Sequence, residues 1–379
     1  MITVQAAPEV IPFHFVANQI RIDATVQGSG PFHLVLDTGM PIPGVILFEG
    51  PRVEALHLAD SGHRVRISGA GGDEDAGSDA AMATGVAVSA GKWSVEKTSA
   101  LVIAPPPGFP PGIDGVIGGE LFFHHVVRID TAAGRIELFD AKTWTPPEGA
   151  SVLPLDRVGN KIFVDVKVAL GDEEPRSAHV VVDTGATHAL SLNSLGSARF
   201  APPESAIATQ IGRGASGVVL GKVGRARRVQ IGSFVLDGVV TTFPVAKHQN
   251  PGGEDFHDGN LGEEILRRFD VTFDYAGNRM VLEKAASFGE PFEHEMAGLV
   301  LDWEKDGGLV VRKVLPGSPA QEAGIEEGDR IRSIDGRSVA DLGEQGFRTS
   351  LKVDGAEVQV SVRRGLQVLM KKVKLRRLV

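Results

Sequence analysis

Apolar and polar residues alternate through much of the first three-quarters of the chain. Phe13-His14-Phe15, the run Gln19 to Val26 and the run Ile162 to Val168 all repeat with a period of two. That is the pattern of strands with one face in a core and the other in water. Turn residues punctuate the runs, Gly28-Ser29-Gly30-Pro31 in one place and Gly171-Asp172 in another. Helical periodicity is weak and glycine and proline are abundant, 47 and 22 residues, which predicts a turn-rich β architecture.

Two of the apolar runs end alike, in Leu34-Val35-Leu36-Asp37-Thr38-Gly39 and Val180-Val181-Val182-Asp183-Thr184-Gly185. Each is followed by a second motif. Asp114-Gly115-Val116-Ile117-Gly118-Gly119-Glu120 begins 77 residues after Asp37, and Asp258-Gly259-Asn260-Leu261-Gly262-Glu263-Glu264 begins 75 after Asp183. Asp130 and Asp274 each follow sixteen residues later, opening a turn and an apolar strand that ends near Leu138 or Leu282. Gly91-Lys92-Trp93 and Gly232-Ser233-Phe234 also occupy comparable places. A period of 146 residues between the two Asp-Thr-Gly runs is too long for a solenoid and has the size of a domain. The expectation is a duplicated lobe, residues 10–145 and 150–286, joined through Thr143-Trp144-Thr145-Pro146-Pro147-Glu148-Gly149.

Composition narrows the classes. At 379 residues the chain suits two or three domains, and 42% hydrophobic with 23% charged residues is the balance of a folded soluble protein. A net charge of −9 argues against nucleic-acid binding. Cysteine is absent, which removes disulfides, thiol nucleophiles and cysteine-ligated zinc. No apolar stretch approaches the roughly 20 residues a bilayer span requires, and Met1-Ile2-Thr3-Val4-Gln5 does not read as a signal peptide. Compartment stays open: the cell envelope or periplasm if a leader was removed, otherwise the cytoplasm.

The paired Asp-Thr-Gly runs, each with its later apolar-apolar-Gly, resemble aspartic proteases, specifically the retropepsin-like lobe, here fused in tandem as in pepsin-like enzymes. The resemblance covers about the first three-quarters of the chain and implies a mainly β fold of two β-barrel lobes related by a pseudo-twofold axis. The remainder, residues 293–379, carries Val314-Leu315-Pro316-Gly317-Ser318-Pro319-Ala320, then Gly328-Asp329-Arg330-Ile331 and Ile334-Asp335-Gly336-Arg337. That string is similar to bacterial PDZ domains, α+β modules in which Gly-Ser-Pro-Ala starts a short helix and Gly-Asp introduces a strand. PDZ domains take an extended peptide as an added strand. By resemblance Gly298, Leu299 and Val300 belong to the carboxylate loop and edge strand that would hold it.

The protease resemblance implies an endopeptidase that activates water between Asp37 and Asp183. Like charges a few ångström apart cannot both ionise, so the pair shares one proton; the handling of such dyads is known from aspartic proteases themselves. Which of the two carries the proton is left open. Gly39 and Gly185 would allow the tight backbone. Thr38 and Thr184 would bond across the lobe interface, and Ile117-Gly118 and Leu261-Gly262 would pack behind the loops. Met40 and Ala186 stand where many members carry a hydroxyl residue, so fewer hydrogen bonds to the charged form predict an optimum nearer neutral pH. Glycine-rich flaps are expected at Val65 to Gly72, with Gly69 and Gly71 at the tip, and at Ile211 to Gly217, with Gly212 and Gly214.

No cofactor or metal is implied. Gly212-Arg213-Gly214-Ala215-Ser216-Gly217 fits a dinucleotide pattern literally but precedes an apolar strand rather than a helix. Asp73-Glu74-Asp75 with Asp79 reads as a solvated acidic loop, and His124-His125 and His294 as surface or packing histidines. Arg225 with Arg227-Arg228 reads as an exposed hairpin face. Expected partners are a polypeptide substrate and a C-terminal peptide at the PDZ domain, with the enzyme active as a single chain. The alternative is a catalytically silent lobe pair that binds peptides or serves as an adaptor.

Overall fold

The computed structural model describes all residues except 1–6, 41, 43, 59–61, 68–77, 107–108, 194–197, 215, 246–256 and 305–307. It is mainly β. Lobe one contains the strands Gln19–Val26, Ser29–Leu36, Val45–Phe48, Arg64–Ile67, Ser78–Ala90, Trp93–Ile103 and Gly115–Ile117. Lobe two repeats them in order as Lys161–Ala169, Arg176–Asp183, Leu190–Leu192, Ile207–Gly214, Gly217–Ile231, Phe234–Pro244 and Gly259–Gly262. Each lobe closes on itself. Thr25 pairs with Ser89 and Val26 with Val88 in the first, and Lys167 with Gln230 in the second, so six strands form a barrel in each.

The repeated Asp-Gly has a structural cause. In each lobe the strand that follows it lies parallel to the strand ending in Asp37 or Asp183 and antiparallel to the next one. The backbones crowd there: a Cβ at Gly115 would meet the Ile46 carbonyl oxygen at 2.1 Å, and one at Gly259 the Ser191 oxygen at 1.8 Å. Only glycine fits. The preceding acids secure the entry to the same strand. Asp114 accepts the His33 amide at 2.8 Å and Asp258 the His179 amide at 2.9 Å, and Arg52 and Arg199 bond the same two carboxylates.

The lobes meet along a seam. Val126–Asp130 pairs antiparallel with Phe269–Asp274, Val127 opposite Phe273, Arg128 opposite Thr272 and Ile129 opposite Val271. In these two strands each residue of lobe one is 144 positions from its counterpart in lobe two, as Asp130 is from Asp274. A rotation exchanging the lobes therefore swaps the two outer pairs and returns the Arg128–Thr272 pair to itself. The pseudo-twofold axis runs through that pair. Beneath it Phe122 of lobe one stacks on Tyr275 and meets Phe273 edge-on, and one apolar core runs through both lobes. Burying aromatic area at this junction makes separation of the lobes costly.

The C-terminal domain has a core of its own. Its sheet runs in the order Leu299–Trp303, Leu309–Val314, Arg330–Ile334, Glu357–Arg364, Gln367–Lys374, which leaves Leu299–Trp303 at the edge. Two helices flank it, Pro319–Glu322, capped by the Ser318 hydroxyl, and Val339–Ser350. The domain touches both lobes. Arg21 pairs with Glu344 at 2.8 Å and the Ala17 amide donates to Gln345, while Arg213 pairs with Asp302.

Arg225 departs from the exposed hairpin face expected of it. Its guanidinium is half-buried and donates to the carbonyls of Gly238, Phe292 and Val379, so it ties lobe two to the linker and to Val379. Arg268, fully buried, also ties lobe two to the linker. It bonds Glu264, the carbonyls of Ser287, Glu290 and Pro291, and lies over the Phe292 ring at 3.6 Å.

Candidate active site

Asp37 and Asp183 end equivalent strands on either side of the pseudo-twofold axis, and the fold turns them toward each other. Each carboxyl group lies against the glycine of the opposite lobe's loop. The approach is close enough that a methyl group at Gly39 would sit 2.7 Å from Asp183 Cγ, and one at Gly185 2.5 Å from Asp37 Cγ. Both glycines are thus required by the carboxyl group of the opposite lobe. In sequence these glycines read as turn residues that leave room for N–H groups at the carboxylates; the opposite carboxyl is a further reason for them.

Four buried hydrogen bonds hold the two loops in register. Thr38 Oγ1 donates to the Val182 carbonyl at 2.7 Å and accepts from the Thr184 amide at 3.1 Å. Reciprocally, Thr184 Oγ1 donates to the Leu36 carbonyl at 2.9 Å and accepts from the Thr38 amide at 3.1 Å. Behind them Ile117 and Leu261 are fully buried. The Ile117 carbonyl accepts the Asp37 amide, and the amides of Gly118 and Gly262 donate to Gly44 and Ala189.

The symmetry fails at the carboxylates. Asp183 accepts three N–H donors: Gly185 at 3.1 Å, Ala186 at 3.0 Å and Asn260 Nδ2 at 2.9 Å. The residue matching Asn260 in lobe one is Val116, which has no donor to offer. Asp37 accepts the Gly39 amide at 2.8 Å. Its surroundings are dense, although the residue is not fully buried. Burial foremost, then the charge of Asp183 and a hydrogen bond with it, hold the Asp37 carboxyl well above the ordinary aspartate range, against the pull of the Gly39 and Met40 amides.

Two more groups crowd Asp183. Burial pulls His188 below the ordinary histidine range while the Asp183 charge acts the other way, and its Nε2 has no partner. Glu263 is 1% exposed, with Oε2 unpartnered. Burial raises it well above the ordinary range, and of its charged neighbours Arg267 opposes this while Glu264 and Asp183 add to it. Asn260, His188 and Glu263 were not anticipated from sequence. Comparing the two copies would have flagged them, because Val116, Ile42 and Gly119 hold the matching places.

The other anticipated residues lie farther out. Gly212 and Gly214 are in a hairpin whose strands pair from Ile207–Val223 to Gly214–Gly217; Arg213, between them, reaches Asp302 of the C-terminal domain. Gly69 and Gly71 fall outside the described residues. Gly298 has a left-handed backbone, φ +78°, and a Cβ there would strike Ser318 at 2.3 Å. Leu299 and Val300 begin the edge strand. The amides of Ala297, Gly298 and Leu299 all donate to the Glu295 carboxylate, at 2.8, 2.9 and 3.2 Å. Burial raises that carboxyl to about 7, with the same three amides pulling the other way.

Comparison with known proteins gives matches in two regions. Residues 164–265 match a family model described as aspartyl protease, and residues 288–363 one described as PDZ domain. The chain therefore carries an aspartyl protease domain and a PDZ domain, as the sequence resemblance implied. No curated protein matches. Among solved structures the chain is similar to the aspartic proteinase from Irpex lacteus, at 14% identity and a TM-score of 0.48, over 75% of this chain and 99% of that one. Among the described residues no helix is long and apolar enough to cross a membrane.

Proposed function

We propose that this chain is an aspartic endopeptidase, complete in one polypeptide, in which Asp183 carries the charge and Asp37 the proton. The observation that carries this reading is the approach of each carboxyl group to the opposite lobe's glycine, with the two loops tied by reciprocal threonine bonds. The assignment of the proton follows from the donors. Three N–H groups stabilise a carboxylate at Asp183, whereas burial and the neighbouring charge favour the neutral acid at Asp37.

A water held between the two acids gives a proton to Asp183 as its oxygen attacks the peptide carbonyl carbon. Asp37 gives its proton to the carbonyl oxygen, and a neutral gem-diol forms. Collapse returns the proton from one diol hydroxyl to Asp37, while Asp183 protonates the departing nitrogen and the C–N bond breaks. Both acids end as they began, and no group beyond water and the two carboxyls is needed. The raised Asp37 keeps the singly protonated pair intact to higher pH, which supports the expectation of an optimum nearer neutrality.

The test is hydrolysis of denatured casein by the wild type, Asp37→Asn and Asp183→Asn between about pH 3 and about pH 8. Activity in the wild type and its loss in both variants is expected. Equal inactivity of all three proteins would favour the silent peptide-binding alternative, and equal activity would place the chemistry elsewhere.

A further inference from the structure

The loop before the edge strand of the PDZ domain is built to hold a carboxylate. Three successive amides, those of Ala297, Gly298 and Leu299, point at one place, and the left-handed Gly298 makes that convergence possible. Such a nest is where a PDZ domain receives the terminal carboxylate of a peptide. Here it is already full. Both oxygens of Glu295 lie in it, Oε1 on Ala297 and Oε2 on Gly298 and Leu299.

The loop is also fixed from outside. The Ala297 carbonyl accepts the Ala320 amide, the Gly298 carbonyl accepts the Leu315 amide, and the Met296 amide donates to Leu351. An incoming terminal carboxylate would find its donors taken and the place filled by another carboxyl group. Leu299–Trp303 ends the sheet and pairs on one side only, with Leu309–Val314, and Arg213 of lobe two reaches it at Asp302.

We infer that Glu295 serves as an internal substitute for a ligand's terminal carboxylate, so that this PDZ domain takes an internal extended segment of polypeptide along Leu299–Trp303 rather than a free C-terminus. Recognition then comes from main-chain pairing, with no reading of a chain end. The inference stands on the PDZ domain alone and does not depend on hydrolysis by the lobes. A domain of this kind would hold unfolded or looped chains at any point along their length.

The experiment captures the full-length protein on arrays of short random peptides, presented once with free C-terminal carboxylates and once C-terminally amidated. An Asp183→Asn background prevents turnover from confusing binding with cleavage. Expected is equal capture by the two arrays, within about twofold, and a gain of about tenfold for the free acids once Glu295→Ala empties the nest. A preference of about tenfold for free acids with Glu295 in place overturns the inference, as does capture by neither array. Equal capture by the Glu295→Ala protein on both arrays overturns the role of Glu295. If that variant does not fold, the comparison with Glu295 intact decides the case alone.

Discussion

Replacing Thr38 by valine removes a hydroxyl and keeps the shape of the side chain, so the energetic effect isolates one half of the threonine grip. Thr38 is 2% exposed, and water cannot replace what is lost. The Thr184 amide loses its 3.1 Å acceptor and the Val182 carbonyl its 2.7 Å donor. Each buried polar group deprived of its partner costs about 1–3 kcal/mol, so the variant should lose about 2–6 kcal/mol. Thr38→Ser is the control. It keeps the hydroxyl and deletes one buried methyl, for which about 0.5–1.5 kcal/mol is expected. The PDZ domain has a core of its own, which makes a separate unfolding transition possible, so its tryptophan, Trp303, is first changed to Phe. Trp93 and Trp144, both buried in the lobe region, then report urea unfolding of the lobes alone. If Thr38→Val proves within about 0.5 kcal/mol of Thr38→Ser, the grip does not hold the lobes together and the argument for a rigid pair of acids fails with it.

Two further outcomes are expected. Asp37 has a raised carboxyl in the folded chain, so the native state keeps a proton that the unfolded chain releases; stability from this group is present below about pH 4 and is lost as pH rises toward the folded value, at up to about 1.4 kcal/mol per pH unit. Asp37→Asn should therefore melt with the wild type near pH 3 and increasingly above it toward pH 7, and a melting difference independent of pH would refute the cause assigned to the shift. Arg268→Met leaves three linker carbonyls without their donor, while Glu264 keeps Arg267; a loss of about 3 kcal/mol is expected, with faster subtilisin cleavage within residues 285–298, and unchanged cleavage there would show that Arg268 does not pin the linker.

Much of the candidate site was readable because the residues that define it are neighbours in the chain. An apolar run ending in Asp-Thr-Gly makes a strand and a turn whatever surrounds it, and its recurrence at domain distance announced two lobes. The strand-and-turn order of each copy, including the Gly91 and Gly232 turns with φ of 59° and 55°, followed from local composition. The copies also differ locally, and Asn260 against Val116 was visible in the aligned motifs; what that difference does was not, because the carboxylate it reaches is 77 residues away.

The chain order of apolar and turn residues was sufficient for the strands, the duplication and the choice of Asp37 and Asp183 as candidate acids. Tertiary structure alone decided that Arg128 and Thr272 lie on the axis, that each glycine of the pair is shaped by the opposite aspartate, that Asp183 has three donors, and that Glu295 fills the PDZ nest. The physical reason is range. Backbone preference and burial periodicity act over a few residues and leave their mark in composition, whereas a carboxyl group's charge and proton depend on whatever packing brings within a few ångström, from any distance along the chain.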